Sequence, residues 1–447
     1  MDDDLTGETT ELLQSLIRNA CVNDGTPESG GETRNAELLE SFLTGAGLEV
    51  ERFTPADHPD RASLVARIEG SDPGAPALCL MGHTDVVPVN PAGWREDPFG
   101  GEVIDGEVWG RGAVDMLNLT ASMAVAFRHL ARTGFRPKGS LIYFAVADEE
   151  AGGTCGAKWM ADAHWDAIAC DYVLTEVGGW SDTPAGRPRQ VGVTVAEKGL
   201  AWRRIRVGGT PGHGSMPYGS DNALVKAAEI VRRLAEYRPT PQIDELWRAQ
   251  VDAMDLDADA KAGLLDPARL WETFEQLPRP LAKRCHALTH TTFSPNVVHG
   301  GQKTNTIPDE VVVEVDIRTI PGTGHDEVEA HLREALGPLY DEVEVTVLFD
   351  DVASISPTES LLWDVLRDAT QVAYPGAELV PGMVTGATDA RYFRDKGAIA
   401  LGAGLFSESM SFESFSDRFH GNNERVDIAS LGLSTDLWQR VARQLLG

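Results

Sequence analysis

No stretch of this 447-residue chain approaches the ~18 consecutive apolar residues that a membrane-spanning helix requires. The first residues, MDDDLTGETTELL, are acidic and carry neither the basic nor the apolar segment of a secretory signal. A cytoplasmic protein with no membrane partner is expected. Cysteine is scarce as well. Cys21, Cys79, Cys155, Cys170 and Cys285 are scattered, odd in number and never spaced as CxxC, which argues against a disulfide framework and for reduced thiols. Basic residues are the third shortage: 39 Lys and Arg face 69 Asp and Glu, a formal net charge of -30. Such a surface repels nucleic acid and anionic lipid, and it leaves carboxylates to spare for metal ions. The hydrophobic fraction of 42% is that of an ordinary globular protein able to bury a sizeable core.

Apolar periodicity orders the rest. Residues 5–20 and AELLESFLTGAG, stopped by Gly47, read as helices, and LEVERF and ASLVARIE alternate as strands. ALCLMGHTDVVPV is a buried strand running into a loop, and MLNLTASMAVAFRHLARTG is a helix ending at Gly134. SLIYFAVADEE and CDYVLTEVGG are buried strands that end in acids. Strands alternating with helices predict a mostly parallel sheet covered by helices. Near residue 190 the character changes. VGVTVAEKGLAWRRIRVGG reads as two strands, DNALVKAAEIVRRLAEY as a helix, and residues 239–292 as short helical pieces. A strand, a helix and a strand follow in VVVEVDIRTIPG, HDEVEAHLREALG and EVEVTVLFD. From about residue 353 the first style returns: helix LLWDVLRDATQVAY, Gly-rich VTGATDARYF, strand AIALGAGL, a polar loop and a final helix from Asp427. The expected organisation is an α/β catalytic domain of residues 1–192 and 353–447, interrupted by an α+β lid domain of residues 193–352.

The chemistry sits at strand ends. His83 and Asp85 follow ALCLMG, Glu149 and Glu150 follow LIYFAVAD, and Glu176 follows DYVLT. Ligands of an open parallel sheet collect beyond the carboxyl ends of its strands, so these distant groups can meet on one rim. Asp115, just before a helix, and His420, before the last helix, can reach the same rim. Imidazole nitrogens and carboxylate oxygens suit zinc-class dications, and two metals can share a bridging carboxylate. Singly the signals are weak: His83 alone reads as a structural histidine, Glu149 and Glu150 as surface acids, and Asp115 as a helix cap. Their joint placement, one cluster per core strand, carries the functional reading. The glycines of GTPGHGS lack the Lys-Ser/Thr ending of a phosphate loop.

GHTDVVPV, GRGAVDM, DEEAGG, TEVGG and HGNNERV, in that order and with TPESGGETRNAELLESFLTGAGLEV upstream, resemble the motifs of a zinc hydrolase family. That family includes aminoacylase, acetylornithine deacetylase, succinyl-diaminopimelate desuccinylase, carboxypeptidase G and carboxypeptidase S. The likeness covers nearly the whole chain. It implies two zinc ions per chain, with cobalt or manganese as substitutes: His83 and Glu176 on one ion, Glu150 and His420 on the other, and Asp115 bridging them. Asp85 is then expected to hydrogen-bond His83, and Glu149 to serve as general base and then as acid toward the leaving amine. The family's pattern also implies a cis Asp115–Met116 bond. In GGTPGHGSMP, His213 matches a lid histidine that helps hold the substrate carbonyl. Asn305 in TNTIP, Arg318 in VDIRTIPG, and Thr388 and Arg391 in GATDARYF match substrate-binding positions. Arg391 corresponds to an arginine that grips a substrate carboxylate, a task suited to its planar fork. A homodimer paired through the lid is implied too, with the long 239–292 segment as the alternative source of closure.

The expected reaction is hydrolysis of an amide bond in N-acyl amino acids or C-terminal peptides, small molecules with a free carboxylate. Two rivals stand beside it. One is a deacetylase or desuccinylase of amino-acid biosynthesis. The other is a non-catalytic metal-binding protein on a retained hydrolase fold, against which the presence of Glu149 speaks.

Overall fold

The computed structural model describes residues 3–44 and 48–447. The chain divides into two compact units. The first comprises Met1–Val195, Ser356–Gly382 and Thr388–Gly447, and the second Ala196–Ile355 with Met383–Ala387.

The middle of the first unit's sheet is parallel, in the order Leu141–Val146, Leu78–His83, Tyr172–Thr175, Ile399–Gly402. Antiparallel strands flank it: Ser63–Ile68 and Val50–Phe53 on one side, and on the other Gln190–Glu197, which runs on into the second unit. The sheet is therefore mixed, parallel where the ligands were expected. Every residue of Leu78–His83 and Leu141–Val146 is buried, because helices cover both faces and no solvent side remains to be polar. Helix Leu117–Arg132 lies on one face, packed with Asp3–Arg18 and Ile428–Leu446. On the other face Cys79, Met81, Ile142, Phe144 and Val146 pack with Met160, Ala390 and Phe393. Each large apolar side chain so enclosed contributes about 1.5–3 kcal/mol relative to exposure. Asp427 starts the last helix by accepting the amide of Ser430 at 2.9 Å. The second helix spans Thr33–Thr44; Gly47, read as its stop, lies outside the described residues.

The second unit has an antiparallel sheet, Thr292–Gly300, Glu310–Thr319, Arg203–Gly208, Val343–Val347. Strict alternation turns Val311, Val313, Val315 and Ile317 to one face, where they join Ile205 and Val207. Helices Ala223–Glu236 and His325–Leu336 cover that face. The 239–292 segment folds into the helices Glu245–Ala253, Ala258–Leu264, Leu270–Gln276 and Arg279–Thr289. Among the described residues no helix is long and apolar enough to cross a membrane.

Candidate metal centre

Neighbouring parallel strands end side by side, so the residues just beyond them converge. Leu141–Val146 delivers Glu149 and Glu150, Leu78–His83 delivers His83 and Asp85, and Tyr172–Thr175 delivers Glu176. Asp115 arrives from the turn before helix Leu117–Arg132, and its bond to Met116 is cis. Gly82 lets that helix close on the strand: a Cβ there would lie 2.4 Å from Thr120 Oγ1. The same hydroxyl donates to the His83 carbonyl at 2.8 Å.

Asp115 is shared between two clusters. Its Oδ1 lies 3.2 Å from His83 Nε2 and its Oδ2 2.8 Å from His420 Nε2. Glu176 Oε2 completes the first cluster, 3.6 Å from His83 Nε2, and Glu150 Oε2 the second, 3.3 Å from His420 Nε2. Within each triad the ligand atoms lie within 4.8 Å of one another. Glu149 belongs to neither triad, and its carboxyl makes no hydrogen bond among the described residues; its main chain is held instead, the amide 3.3 Å from Asp85 Oδ1 and the carbonyl accepting the Gly152 amide at 2.8 Å.

The electrostatics are those of an acid cluster short of positive charge. Burial raises the proton affinity of Glu149 well above the ordinary range, and the Glu176 charge adds to this. Burial and Asp115 push Glu150 up to about 7, and burial also raises Glu176. Burial alone would lower both imidazoles, but their carboxylate partners win: His83 lies well above its usual value and His420 is pushed up to about 10. Asp115 moves the other way: two imidazoles hold it below the carboxylate range despite its burial. Among the described residues, buried Glu150 Oε1 and both oxygens of buried Asp389 have no hydrogen-bond partner, a state that costs free energy unless a cation or water supplies one. Two imidazoles and three carboxylates, one of the carboxylates shared, fit a pair of zinc-class dications.

Asp85 meets His83, and does so mainly through its main chain. Its carbonyl oxygen, not its carboxylate, takes the His83 Nδ1 contact at 3.0 Å, and Oδ1 stands 3.5 Å away. A donor on Nδ1 leaves Nε2 as the atom facing the triad. The carboxylate also accepts the amides of Glu149 and Glu150, at 3.3 and 3.1 Å.

Thr388 and Arg391 are buried in the first unit. Arg391 points inward: Nη1 donates to the Thr388 carbonyl at 2.9 Å, and Nη2 to the Gly152 carbonyl at 3.0 Å and the Tyr392 hydroxyl at 2.8 Å. Both Nη atoms therefore have partners within the first unit. The Thr388 hydroxyl accepts the Ala390 amide at 3.2 Å.

His213, Asn305 and Arg318 lie on the second unit. A short ladder pairs His213 with Thr306, and the Asn305 carbonyl accepts the Gly214 amide at 2.8 Å, so His213 and Asn305 are neighbours. The Ser215 amide donates to His213 Nδ1 at 3.2 Å, which makes Nδ1 an acceptor and places the neutral ring's proton on Nε2. Arg318 keeps Nε on Asp316 at 2.8 Å.

Sequence reasoning missed two supporting groups. Buried Glu424, in the HGNNERV motif, pairs with Arg111 at 2.7 Å and accepts the amides of Gly112, Val114 and Asp115. Asn23, Glu32 and Arg61 form a second buried network beside Asp85 and Asp148. The signal available was the polar loop upstream of the first ligand, whose acids have no helical or strand period.

Residues 79–444 match the family model described as Peptidase family M20/M25/M40. The chain belongs to this family. It is therefore a hydrolase of the M20 peptidase and amidohydrolase type. It is similar to the N-fatty-acyl-amino acid synthase/hydrolase PM20D1 of Xenopus tropicalis, 27% identical over 379 residues, 83% of this chain and 73% of that protein. It is also similar to the succinyl-diaminopimelate desuccinylase of Rhodospirillum centenum, 26% identical over 436 residues, 96% of this chain and 95% of the relative. The M20 family metallo-carboxypeptidase Sso-CP2 from Sulfolobus solfataricus shares the fold with a TM-score of 0.75 and 17% identity, covering 100% of this chain and 99% of that one. Bacillus subtilis YXEP, described as a dinuclear metal binding peptidase from the M20 family, superposes with a TM-score of 0.65 and 13% identity, covering 100% and 99%. The α/β catalytic fold with a second α+β unit is that of this family.

Proposed function

We propose that the protein is a di-zinc hydrolase cleaving the amide bond of N-acyl amino acids or of C-terminal peptide residues. One observation carries this reading: two histidine-carboxylate triads share Asp115, and an unshared carboxyl, Glu149, stands on the same turn as a triad member. Bound in the triads, cations of this class supply Lewis acidity toward a carbonyl and lower the pKa of water. His83, Asp115 and Glu176 would hold one, and Asp115, Glu150 and His420 the other. Glu149 takes the proton from the attacking water and returns it to the leaving amine nitrogen, which departs as the free amino group. His213 offers Nε2–H as a donor to the carbonyl oxygen as negative charge develops there. The substrate is a small molecule with a free carboxylate. Because Arg391 is committed within the first unit, Asn305 and Arg318 are the better assigned contacts for that group. Cobalt and manganese are alternative metals. A homodimer through the second unit belongs to the same reading; its edge strand Thr292–Gly300 pairs only with Glu310–Thr319 among the described residues.

The PM20D1 relative supports an N-acyl amino acid substrate. The near-complete overlap with a desuccinylase favours a second reading in which the acyl group itself bears a carboxylate. Zinc-loaded protein should be assayed on amino acids carrying acetyl, succinyl and long-chain acyl groups, and on dipeptides. Glu149→Gln should keep its metal and lose at least ~10²-fold in kcat on the best of these. Full turnover by that variant would remove Glu149 from the chemistry, and turnover confined to succinylated substrates would select the second reading.

A further inference from the structure

The turn that carries Glu149 and Glu150 is gripped at both ends. At its start, Asp148 takes a left-handed backbone, φ 69°, a conformation that aspartate reaches more readily than most L-residues because its short carboxylate can bond locally. Glu32 holds it there by accepting the Asp148 amide at 3.1 Å. Arg61 binds that same Glu32 at 2.8 Å and stands 3.4 Å from the Asp148 carboxylate. Arg61 also donates to Asn23 Oδ1 at 3.1 Å, and Asn23 in turn donates to Asp85, the acceptor of the Glu149 and Glu150 amides. Glycine is required where this arginine enters: a Cβ on Gly30, φ 88°, would lie 2.3 Å from Arg61 Nη1. At the far end, the Gly152 carbonyl receives Arg391 Nη2 at 3.0 Å and the Tyr392 hydroxyl at 2.7 Å. Arg61 and Arg391 are each 3% exposed, so neither guanidinium presents itself to a soluble substrate.

We propose that Arg61 and Arg391 are a pair of positioning residues that clamp the two ends of the Asp148–Gly152 turn and so fix Glu149 for proton transfer. The proposal rests on Glu149 being the proton-transfer group. It moves Arg391 from substrate recognition to support of the acid-base turn, and it gives a task to the polar loop of residues 22–34. A carboxyl displaced by a fraction of an ångström loses alignment with the proton it must take, and misplacement of about 1 Å can cost roughly 10²-fold in rate. The loss falls on kcat, because nothing that touches substrate has changed.

The test uses full-length, metal-saturated enzyme. Substrates are an N-acyl amino acid that it turns over and the same compound amidated at its carboxyl. Arg61→Lys and Arg391→Lys should each lower kcat about 10-fold or more, leave KM within about threefold, and leave the acid-to-amide preference unchanged. Where Arg61→Lys fails to fold, Arg61→Met combined with Glu32→Gln removes the buried charges together and keeps an acceptor for the Asp148 amide. In a Glu149→Gln background the arginine variants should have little further effect, since the group they position is gone. An Arg391 variant that slows only the free acid would overturn the proposal and restore the carboxylate clamp. Full additivity with Glu149→Gln would also overturn it. A fully active Glu149→Gln enzyme would instead refute the acid-base reading on which it rests, and the single variant separates the two failures.

Discussion

Glu424 accepts the main-chain amide of Asp115 at 2.9 Å. Its partner Arg111 reaches the His420 carbonyl at 3.3 Å, so one buried ion pair steadies both the shared carboxylate and the second imidazole. Removing Glu424 leaves Arg111 buried without its counter-ion, a defect that costs about 3–5 kcal/mol. Glu424→Ala should therefore lower the denaturant midpoint and weaken metal binding about 10- to 100-fold, the usual range for losing a group that orients ligands. Elemental analysis after dialysis against a weak chelator measures the second effect. Unchanged metal retention would show that Asp115 and His420 hold their places without it.

Full activity should require two ions per chain. Chelator-stripped protein titrated with zinc should regain activity up to about two equivalents. Asp115→Ala, which touches both triads, should bind less metal than either His83→Ala or His420→Ala. A plateau at one equivalent, with no second ion bound, would refute the paired arrangement.

The tautomer of His213 has a kinetic consequence. With Nδ1 occupied by the Ser215 amide, Nε2–H is the donor. His213→Ala should reduce kcat by roughly 10²–10³-fold, the scale of losing one oxyanion donor, while metal content stays at the wild-type value. A change in KM alone would assign His213 to ground-state binding instead.

Lys198 should make stability depend on pH. Its ammonium is buried in the second unit, on the carbonyls of Ala287 and His290 at 2.8 and 2.7 Å. Burial, helped by nearby Arg318 and opposed by Asp316, pulls its pKa down from 10.5 to about 7. Between those two pH values the unfolded chain holds a proton that the folded chain has released, so raising the pH through this window favours folding. Each tenfold change in proton affinity corresponds to about 1.4 kcal/mol, which makes the gain of the order of a few kcal/mol. It is absent below about pH 7 and complete above the unfolded lysine's value. Urea unfolding at pH 6.5, 8 and 9.5 should show wild type gaining on Lys198→Met as pH rises. A gap that does not vary with pH would contradict the lowered proton affinity.

The strand-end ligands were legible because the central strands are apolar throughout and stop abruptly at polar residues, so His83, Glu150 and Glu176 stand out against their own elements. The helices with full 3.6-residue periods were legible for the same reason, usually to within two or three residues. What stayed hidden was short or broken. Strand Glu378–Val384 contains Pro381 and Gly382, both breakers of strand pattern. Helices Ala390–Asp395 and Phe412–Arg418 complete fewer than two turns, too few for a period to show. The supporting pairs were hidden for another reason. Glu424 and Arg111, or Arg61 and Glu32, are far apart in the chain and sit in loops, where a charged residue reads as surface. Resemblance placed Arg391 in the right neighbourhood, but which way its guanidinium turns depends on a carbonyl more than two hundred residues away, at Gly152.

The chain order of the ligands also sets an order of assembly. His83, Asp115 and Glu176 all precede Ala196, where the chain passes into the second unit, whereas His420 follows only after that unit and strand Ile399–Gly402 have been made. A polypeptide leaving the ribosome thus carries a complete set of side chains for one triad long before the other can close. An ion taken up at that stage would pin Asp115, the group the later site must borrow.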